Sequence, residues 1–172
     1  MQKTEWFNRT FPRLEDNGLL PSIIERLSGT PARLDEMTSQ LTSDLSIGKV
    51  DGKWSIKEHI GHLSDLEPLW YGRLEDILAG APELRITDLT NQRTTTANHN
   101  ATEIKALLQH FRQLRQSFVD RLTNLKDDQL TNAALHPRLK TPMRIIDLAY
   151  FVAEHDDHHL ASIRELKVAP PK

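Results

Sequence analysis

Apolar residues recur at three- and four-residue spacings in four stretches of this chain, which is the period of amphipathic α-helices. The predicted helices cover roughly residues 20–41, 56–80, 101–124 and 142–166. The first contains the break Gly29-Thr30-Pro31 and is therefore expected to be kinked there or divided into two short helices. This pattern predicts an all-α protein.

The start of the second helix has the clearest local signal. In the segment "WSIKE", Ser55 occupies the N-cap position and Glu58 follows three residues later, which is the spacing of a capping box. The apolar stripe then continues to Gly80, a residue that commonly ends helices. We therefore expect one long helix between Ser55 and Gly80.

The connections between the helices carry polar residues without clear periodicity. Residues 81–100 form the longest of them, and Asn98 and His99 are candidates for the wall of a cleft. A strand could lie in residues 81–95, but no segment has a convincing strand pattern. Asn100 is the expected N-cap of the third helix and Thr141, followed by Pro142, that of the fourth. The prediction is an all-α four-helix bundle with a long connection between helices 2 and 3, built as a single domain over residues 1–172.

Composition and charge exclude several functions. The chain has 172 residues, a net charge of −2 and 6% aromatic residues, so we expect no nucleic-acid partner. It has no cysteine, which excludes thiolate zinc sites and a cysteine nucleophile. No signal peptide or segment long enough to cross a membrane is visible, so a cytoplasmic location is expected.

Histidines interrupt the apolar stripe of the fourth helix. His155 and His159 continue the spacing of Val152 and Ile163, where leucine or isoleucine would be expected. Being four residues apart, they project from one face and could hold one metal ion together. Asp156, Asp157 and His158 are expected at the flank of the helix or in solvent.

A third ligand would have to come from another helix, and the second helix offers His62 or His59. Asp65 follows His62 by three residues and shares its face. The alternative is that these histidines are core residues bonded to backbone carbonyls, but three buried imidazoles together need a shared reason.

Two segments together resemble the DinB/YfiT-like superfamily in its DinB-like-domain branch. They are "WSIKEHIGHLSDLE" and "HPRLKTPMRIIDLAYFVAEHDDHHLASIREL", and "LLPSIIERLSGTPARLDEM" is similar to the same branch. The resemblance implies a four-helix bundle that binds a divalent ion, zinc or nickel, through His62, His155 and His159. It also implies a homodimer, and an activity as a metal-dependent hydrolase or as a transferase or isomerase that uses a low-molecular-weight thiol.

Three neutral imidazoles leave open positions on an ion, which is typical of catalytic rather than structural sites. The sequence therefore predicts an enzyme that acts on a small molecule, with a water or a thiol as nucleophile. Asp65 would orient His62 or act as a base. The alternative is a non-catalytic metal-binding or stress-associated dimeric bundle. DNA binding is disfavoured by the charge.

Overall fold

The computed structural model describes residues 3–168, which form a mostly helical fold with one small β-hairpin. Three long helices and the first helical segment pack together, with short helices and 3-10 turns in the connections. The elements are α1 (Leu20–Ser28), α2 (Thr30–Thr38), α3 (Ser43–Ile47), α4 (Ile56–Leu78), α5 (Gln92–Thr96), α6 (Ile104–Thr123), β1 (Ala133–Leu135), β2 (Pro142–Arg144) and α7 (Ile145–Val168).

The long helices α4, α6 and α7 form the centre of the fold. Helix α4 packs against α6 and α7, and α1 also packs against α6 and α7. Their apolar stripes bury two hydrophobic clusters, one around Trp70, Phe118 and Phe151 and the other around Ile60 and Phe111. Burial of these stripes stabilises the helices far more than their intrinsic propensity does. No helix within residues 3–168 is long and apolar enough to cross a membrane.

The first predicted helix is divided into two short helices at Gly29, one of the two outcomes expected from Gly29-Thr30-Pro31. Pro31 lies in the first turn of α2, where its missing N–H costs nothing. The hydroxyl of Thr30 donates to Asp156 Oδ2 in α7 at 2.8 Å. The break therefore places the Thr30 side chain against helix α7.

The expected start of α4 is confirmed. The Ser55 hydroxyl accepts from the Glu58 N–H at 3.2 Å, and the Glu58 carboxylate accepts from the Ser55 N–H at 2.8 Å. The helix ends at Leu78, and Gly80 adopts a positive φ of 71°. A glycine is suited to that conformation because it has no Cβ.

The prediction of an all-α chain without strands was wrong in one place. Strands β1 and β2 pair antiparallel, with Ala134 opposite Met143. Pro142 therefore begins a strand instead of a helix, and α7 starts at Ile145. The Asp147 carboxylate, in the first turn of α7, accepts from the Arg144 N–H at 3.1 Å. Residues 81–95, which the sequence left open as a place for a strand, contribute only one parallel bridge, between Glu83 and Leu135.

The start of the third long helix also differs from the prediction. Helix α6 begins at Ile104 with Glu103 at the N-cap position. Asn100 does not cap it, because its side-chain oxygen accepts from the Ser55 hydroxyl at 2.6 Å. This bond ties the end of the 81–100 connection to the start of α4.

Asp156 is buried, which contradicts its predicted place in solvent. Its carboxylate bonds to the guanidinium of Arg115 in α6, with Arg115 Nη2 3.0 Å from Asp156 Oδ1. The same guanidinium donates to Glu67 Oε1 in α4 at 2.6 Å. All three side chains are at most 2% exposed, so they form an ionic cluster inside the bundle. The cluster joins α4, α6 and α7 close to the histidines.

Candidate metal centre

The fold brings His62, His155 and His159 together. Each offers a ring nitrogen, and these nitrogens all lie within 4.8 Å of one another. His155 Nε2 and His159 Nε2 are 3.2 Å apart, because four residues of helix α7 place the two rings one turn apart on one face. Packing of α4 against α7 supplies His62. The three rings are buried, with residue exposures of 3% to 6%.

Burial keeps these imidazoles uncharged at neutral pH. It lowers the pKa of His62 to about 4. It lowers the pKa values of His155 and His159 well below the ordinary value, and the neighbouring imidazoles lower them further. An uncharged imidazole has one lone pair free for a metal ion, so the cluster needs no change in protonation before it can bind one.

The tautomer of His62 follows from its hydrogen bonds. His62 Nδ1 lies 3.0 Å from Thr94 Oγ1, and the Thr94 hydroxyl donates to Asp65 Oδ2 at 2.9 Å. Since the hydroxyl has a single proton and gives it to Asp65, His62 Nδ1 must donate to Thr94. The lone pair of His62 is therefore on Nε2, the atom left free to bind an ion.

His59 contacts the cluster through His159. His59 Nδ1 is 2.8 Å from His159 Nδ1, so one of the two nitrogens donates to the other. If His159 uses Nε2 as a ligand, its Nδ1 carries the proton and donates a hydrogen bond to His59 Nδ1. Burial lowers the pKa of His59 to about 3, which keeps His59 neutral and able to accept. This geometry suits an orienting contact to His159.

His158 is also buried, so its predicted place at the flank or in solvent was wrong. Its ring packs against Trp6 at a centroid distance of 5.8 Å. Among the described residues, no partner is present for the buried Nδ1 atoms of His158 and His155. Asp157 does lie at the helix flank, where it pairs with Arg26 and Arg33 at 2.5 and 2.8 Å.

Asp65 acts on the cluster through Thr94 and not by direct contact with His62. Its Oδ2 also lies 2.9 Å from His99 Nε2, and its Oδ1 lies 3.3 Å from Arg93 Nε. Sequence reasoning missed Thr94, because it belongs to the run "TTT" in a segment without periodicity. Its burial on the short helix α5 is a property of the folded connection.

The donor set fits a divalent ion. Nitrogen ligands about 2.0–2.1 Å from one ion are about 3.0–3.4 Å apart at adjacent coordination positions, and the 3.2 Å between His155 Nε2 and His159 Nε2 lies in that range. Buried imidazoles are also ligands that zinc and nickel accept readily. That these residues bind an ion stays a prediction.

The cluster opens onto a cavity of about 740 Å³, a size typical of small-molecule sites. His62, His155 and His159 line one part of its wall. Trp54 covers the cluster, with its ring centroid 4.5 Å from that of His62. Space for a small molecule therefore exists next to the three imidazoles.

At position 61 only a glycine fits beside the ring of His99. A Cβ at Gly61 would lie 2.2 Å from His99 Cγ. We expect Gly61→Ala to displace the buried His99 ring and break its bond to Asp65, which should lower the free energy of unfolding by about 1–3 kcal/mol. Limited proteolysis should cut the 92–101 segment faster, since the ring anchors it to α4.

Gly72→Ala is the matched control in the same helix. A Cβ there would meet the guanidinium of Arg85 at 2.0 Å, but that side chain is 49% exposed and can move away. The lost exposed ion pair and the gained helix propensity should nearly cancel, leaving stability within about 1 kcal/mol of wild type. Equal stability of both variants in chemical denaturation would contradict the role given to Gly61.

Comparison with known proteins agrees with this fold. The sequence model of the DinB superfamily matches residues 26–163. YfiT from Bacillus subtilis, a probable metal-dependent hydrolase with an unusual four-helix bundle topology, is 25% identical, with a TM-score of 0.78 over 92% of this chain and 91% of that protein. None of the curated proteins matches this chain.

A second solved structure shows a likeness of fold alone. The mycothiol-dependent maleylpyruvate isomerase is 10% identical to this chain and has a TM-score of 0.66. The match covers 84% of this chain and 60% of the isomerase, so part of that protein has no counterpart here.

Proposed function

The chain belongs to the DinB superfamily, and from this premise we propose that it is a metal-dependent enzyme acting on a small molecule. The divalent ion, zinc or nickel, is held by His62, His155 and His159. The observation that carries the proposal is that three buried, uncharged imidazoles meet at the wall of a cavity. A bound ion would lower the pKa of a water or thiol that it binds and so supply a nucleophile near neutral pH.

Other residues of the chain position the ligands. Thr94 accepts from His62 Nδ1 and is itself fixed by Asp65, which keeps the His62 Nε2 lone pair directed away from both. Asp65 is therefore a positioning residue in this proposal, and it does not line the cavity as a base would. His59 has the same role for His159.

Two reaction types are compatible with such a site. YfiT is a probable metal-dependent hydrolase, and its high overlap with this chain supports hydrolysis. The second type that we propose is a transferase that uses a low-molecular-weight thiol; the maleylpyruvate isomerase that shares this fold is mycothiol-dependent. Because this chain has no cysteine, the thiol would have to come from a cosubstrate.

The non-catalytic alternative is less consistent with the site. A structural ion is usually enclosed by four protein ligands, or by apolar side chains that exclude substrate. Here three histidines face a cavity of about 740 Å³.

A homodimer and a cytoplasmic location belong to the same proposal. Size-exclusion chromatography with light scattering would test the dimer.

We expect about one divalent ion per chain in protein purified without a histidine tag. The double variant His155→Ala, His159→Ala should lose it, because one remaining imidazole binds an ion weakly. His59→Ala should keep the ion with about 10–100-fold lower affinity, as expected for an orienting residue. Elemental analysis and chelator competition measure both quantities.

The control is His110→Ala, which removes an exposed histidine of α6 and should leave metal content unchanged. Full occupancy in the double variant would show that the ion binds elsewhere. Loss of the ion in His59→Ala, to the extent seen in the double variant, would make His59 a ligand instead.

A further inference from the structure

The cavity beside the histidines has a second polar region, formed by Arg73, His136 and Arg138. Trp70 lies between the two regions. Its ring centroid is 5.5 Å from that of His155 and 5.6 Å from the guanidinium carbon of Arg73. A small molecule in this cavity can therefore contact the histidine cluster and the arginines at once.

Arg73 is a buried cation that forms no hydrogen bond or ion pair with a carboxylate among the described residues, although the charge of Asp76 attracts it. Its Nε donates to the Arg85 carbonyl at 3.2 Å, and its Nη1 lies 3.1 Å from His136 Nε2. The carboxylate of Asp76, one turn further along α4, is bonded to Arg85 at 2.7 and 2.9 Å. Burial lowers the pKa of Arg73 to about 10, so the guanidinium remains charged at neutral pH.

His136 does not satisfy the donors that surround it. Its Nδ1 lies 3.2 Å from the backbone nitrogens of Arg138 and Leu139, and its Nε2 faces Arg73. Donors therefore face both ring nitrogens. A neutral imidazole has one acceptor nitrogen and carries a proton on the other, so one of these contacts brings two donors together. Burial and the nearby arginines lower the pKa of His136 to about 4, which keeps it neutral.

Arg138 and Trp70 add further unused donors. Arg138 Nη2 and the indole nitrogen of Trp70 are buried and have no hydrogen-bond partner within residues 3–168. Four carboxylates also line the cavity, those of Glu5, Asp51, Asp88 and Glu165. Glu165 pairs with Lys3, and Asp88 accepts from Thr90 and Gln92. This region thus has two guanidinium groups, an excess of donors and a shortage of acceptors, which is costly unless an acceptor binds there.

We propose that Arg73 and Arg138 bind the carboxylate or phosphate of an anionic substrate, whose reacting atom lies across Trp70 at the histidine cluster. This inference rests on the proposed function for the reacting end and names the substrate class. Arginine suits both anions, because its planar donors match two oxygens of a carboxylate or phosphate. The anion would supply the acceptors that His136 does not.

The test is calorimetric titration of metal-free protein near pH 7.5 with three probes: benzoate, phenyl phosphate and neutral benzamide. Wild type should bind at least one anion about tenfold or more tightly than benzamide. Arg73→Gln and Arg138→Gln should each remove about tenfold of that preference. Arg112→Gln, which changes an exposed arginine of α6, should remove none. The tighter of the two anions identifies carboxylate or phosphate as the recognised group.

Equal binding of benzamide and both anions, or no measurable anion binding, would overturn the proposal, as would unchanged anion preference in Arg138→Gln. Arg138 is half-buried in a loop, so its variant tests the idea even if Arg73→Gln does not fold. Using metal-free protein separates this inference from the proposed function. If the protein binds anions but no metal ion, the result contradicts the proposed metal enzyme and not the anion site. If it binds a metal ion but does not prefer anions, the result contradicts the anion site and not the metal enzyme.

Discussion

Replacing Arg115 with methionine is expected to lower the free energy of unfolding by about 3–5 kcal/mol, the largest stability effect anticipated in this chain. The guanidinium is the common partner of Glu67 and Asp156, and all three groups are buried. Without it, two carboxylates would face each other inside the bundle with no cation. Burial already raises the pKa of Glu67, and Arg115 opposes that shift.

The deficit of Arg115→Met should depend on pH. Without the cation, the pKa of the buried Glu67 carboxyl is raised further, so the folded variant takes up a proton more readily than the unfolded chain, where the pKa is about 4. The deficit is therefore largest at neutral pH and shrinks as pH falls towards 4. Urea unfolding of wild type and variant at several pH values measures it.

Arg121→Met is the matched control, because the partly exposed pair of Arg121 with Glu75 lies on the same helix α6. An exposed pair contributes at most about 1 kcal/mol, so this variant should stay close to wild type. A second control replaces the whole cluster with Arg115→Met, Glu67→Leu and Asp156→Leu, which should recover most of the loss. Equal deficits in Arg115→Met and Arg121→Met would contradict the account of a buried cluster.

Features that depend on short sequence spacings could be predicted. The capping box needs only Ser55 and Glu58 three residues apart. The pairing of His155 with His159 follows from the period of one helix. For the third member, the helix period left His62 and His59 as alternatives, and the resemblance to the DinB-like branch favoured His62.

Features that depend on distant partners could not be predicted. The position of Asp156 between histidines suggests a residue at the flank of the helix. Its burial depends on Arg115, which lies in another helix. Thr94 lies in a polar connection whose folded path alone brings it to His62. The hairpin of β1 and β2 has three residues per strand, too few to show an alternating pattern.

Removing the metal ion is expected to leave the protein folded but less stable. The two apolar clusters are formed by side chains from several helices, and a chain of this size does not usually need an ion to fold. An ion at about 100 times its Kd adds about 2.7 kcal/mol. Chelator should therefore lower the Tm of wild type by roughly 5–10 °C.

Chelator should have no effect on His159→Leu, because this variant has lost one of three ligands and with it any metal-dependent turnover. Leucine suits the stripe that holds Val152 and Ile163, and it removes an imidazole that is buried without an ion. The variant should therefore be at least as stable as metal-free wild type near neutral pH. Thermal unfolding with and without chelator measures both effects.

The comparison between the two proteins should change with pH. In metal-free wild type, burial lowers the pKa of His159 well below that of an unfolded histidine, about 6.5. Below pH 6.5 the unfolded state binds more protons than the folded state, so stability falls as pH falls. His159→Leu lacks one of these groups and should lose less stability between pH 7 and pH 5. Its advantage over metal-free wild type should thus grow on acidification.

His110→Leu is the matched control, since it makes the same change at an exposed position of α6. It should keep the chelator response and the pH dependence of wild type. Unfolding of wild type by chelator alone would make the ion structural and remove the main support for an enzyme. Retention of the full chelator response in His159→Leu would instead place the ion outside the three histidines. Because the two failures differ in which protein responds to chelator, one set of unfolding curves distinguishes a structural ion from a wrongly assigned ligand.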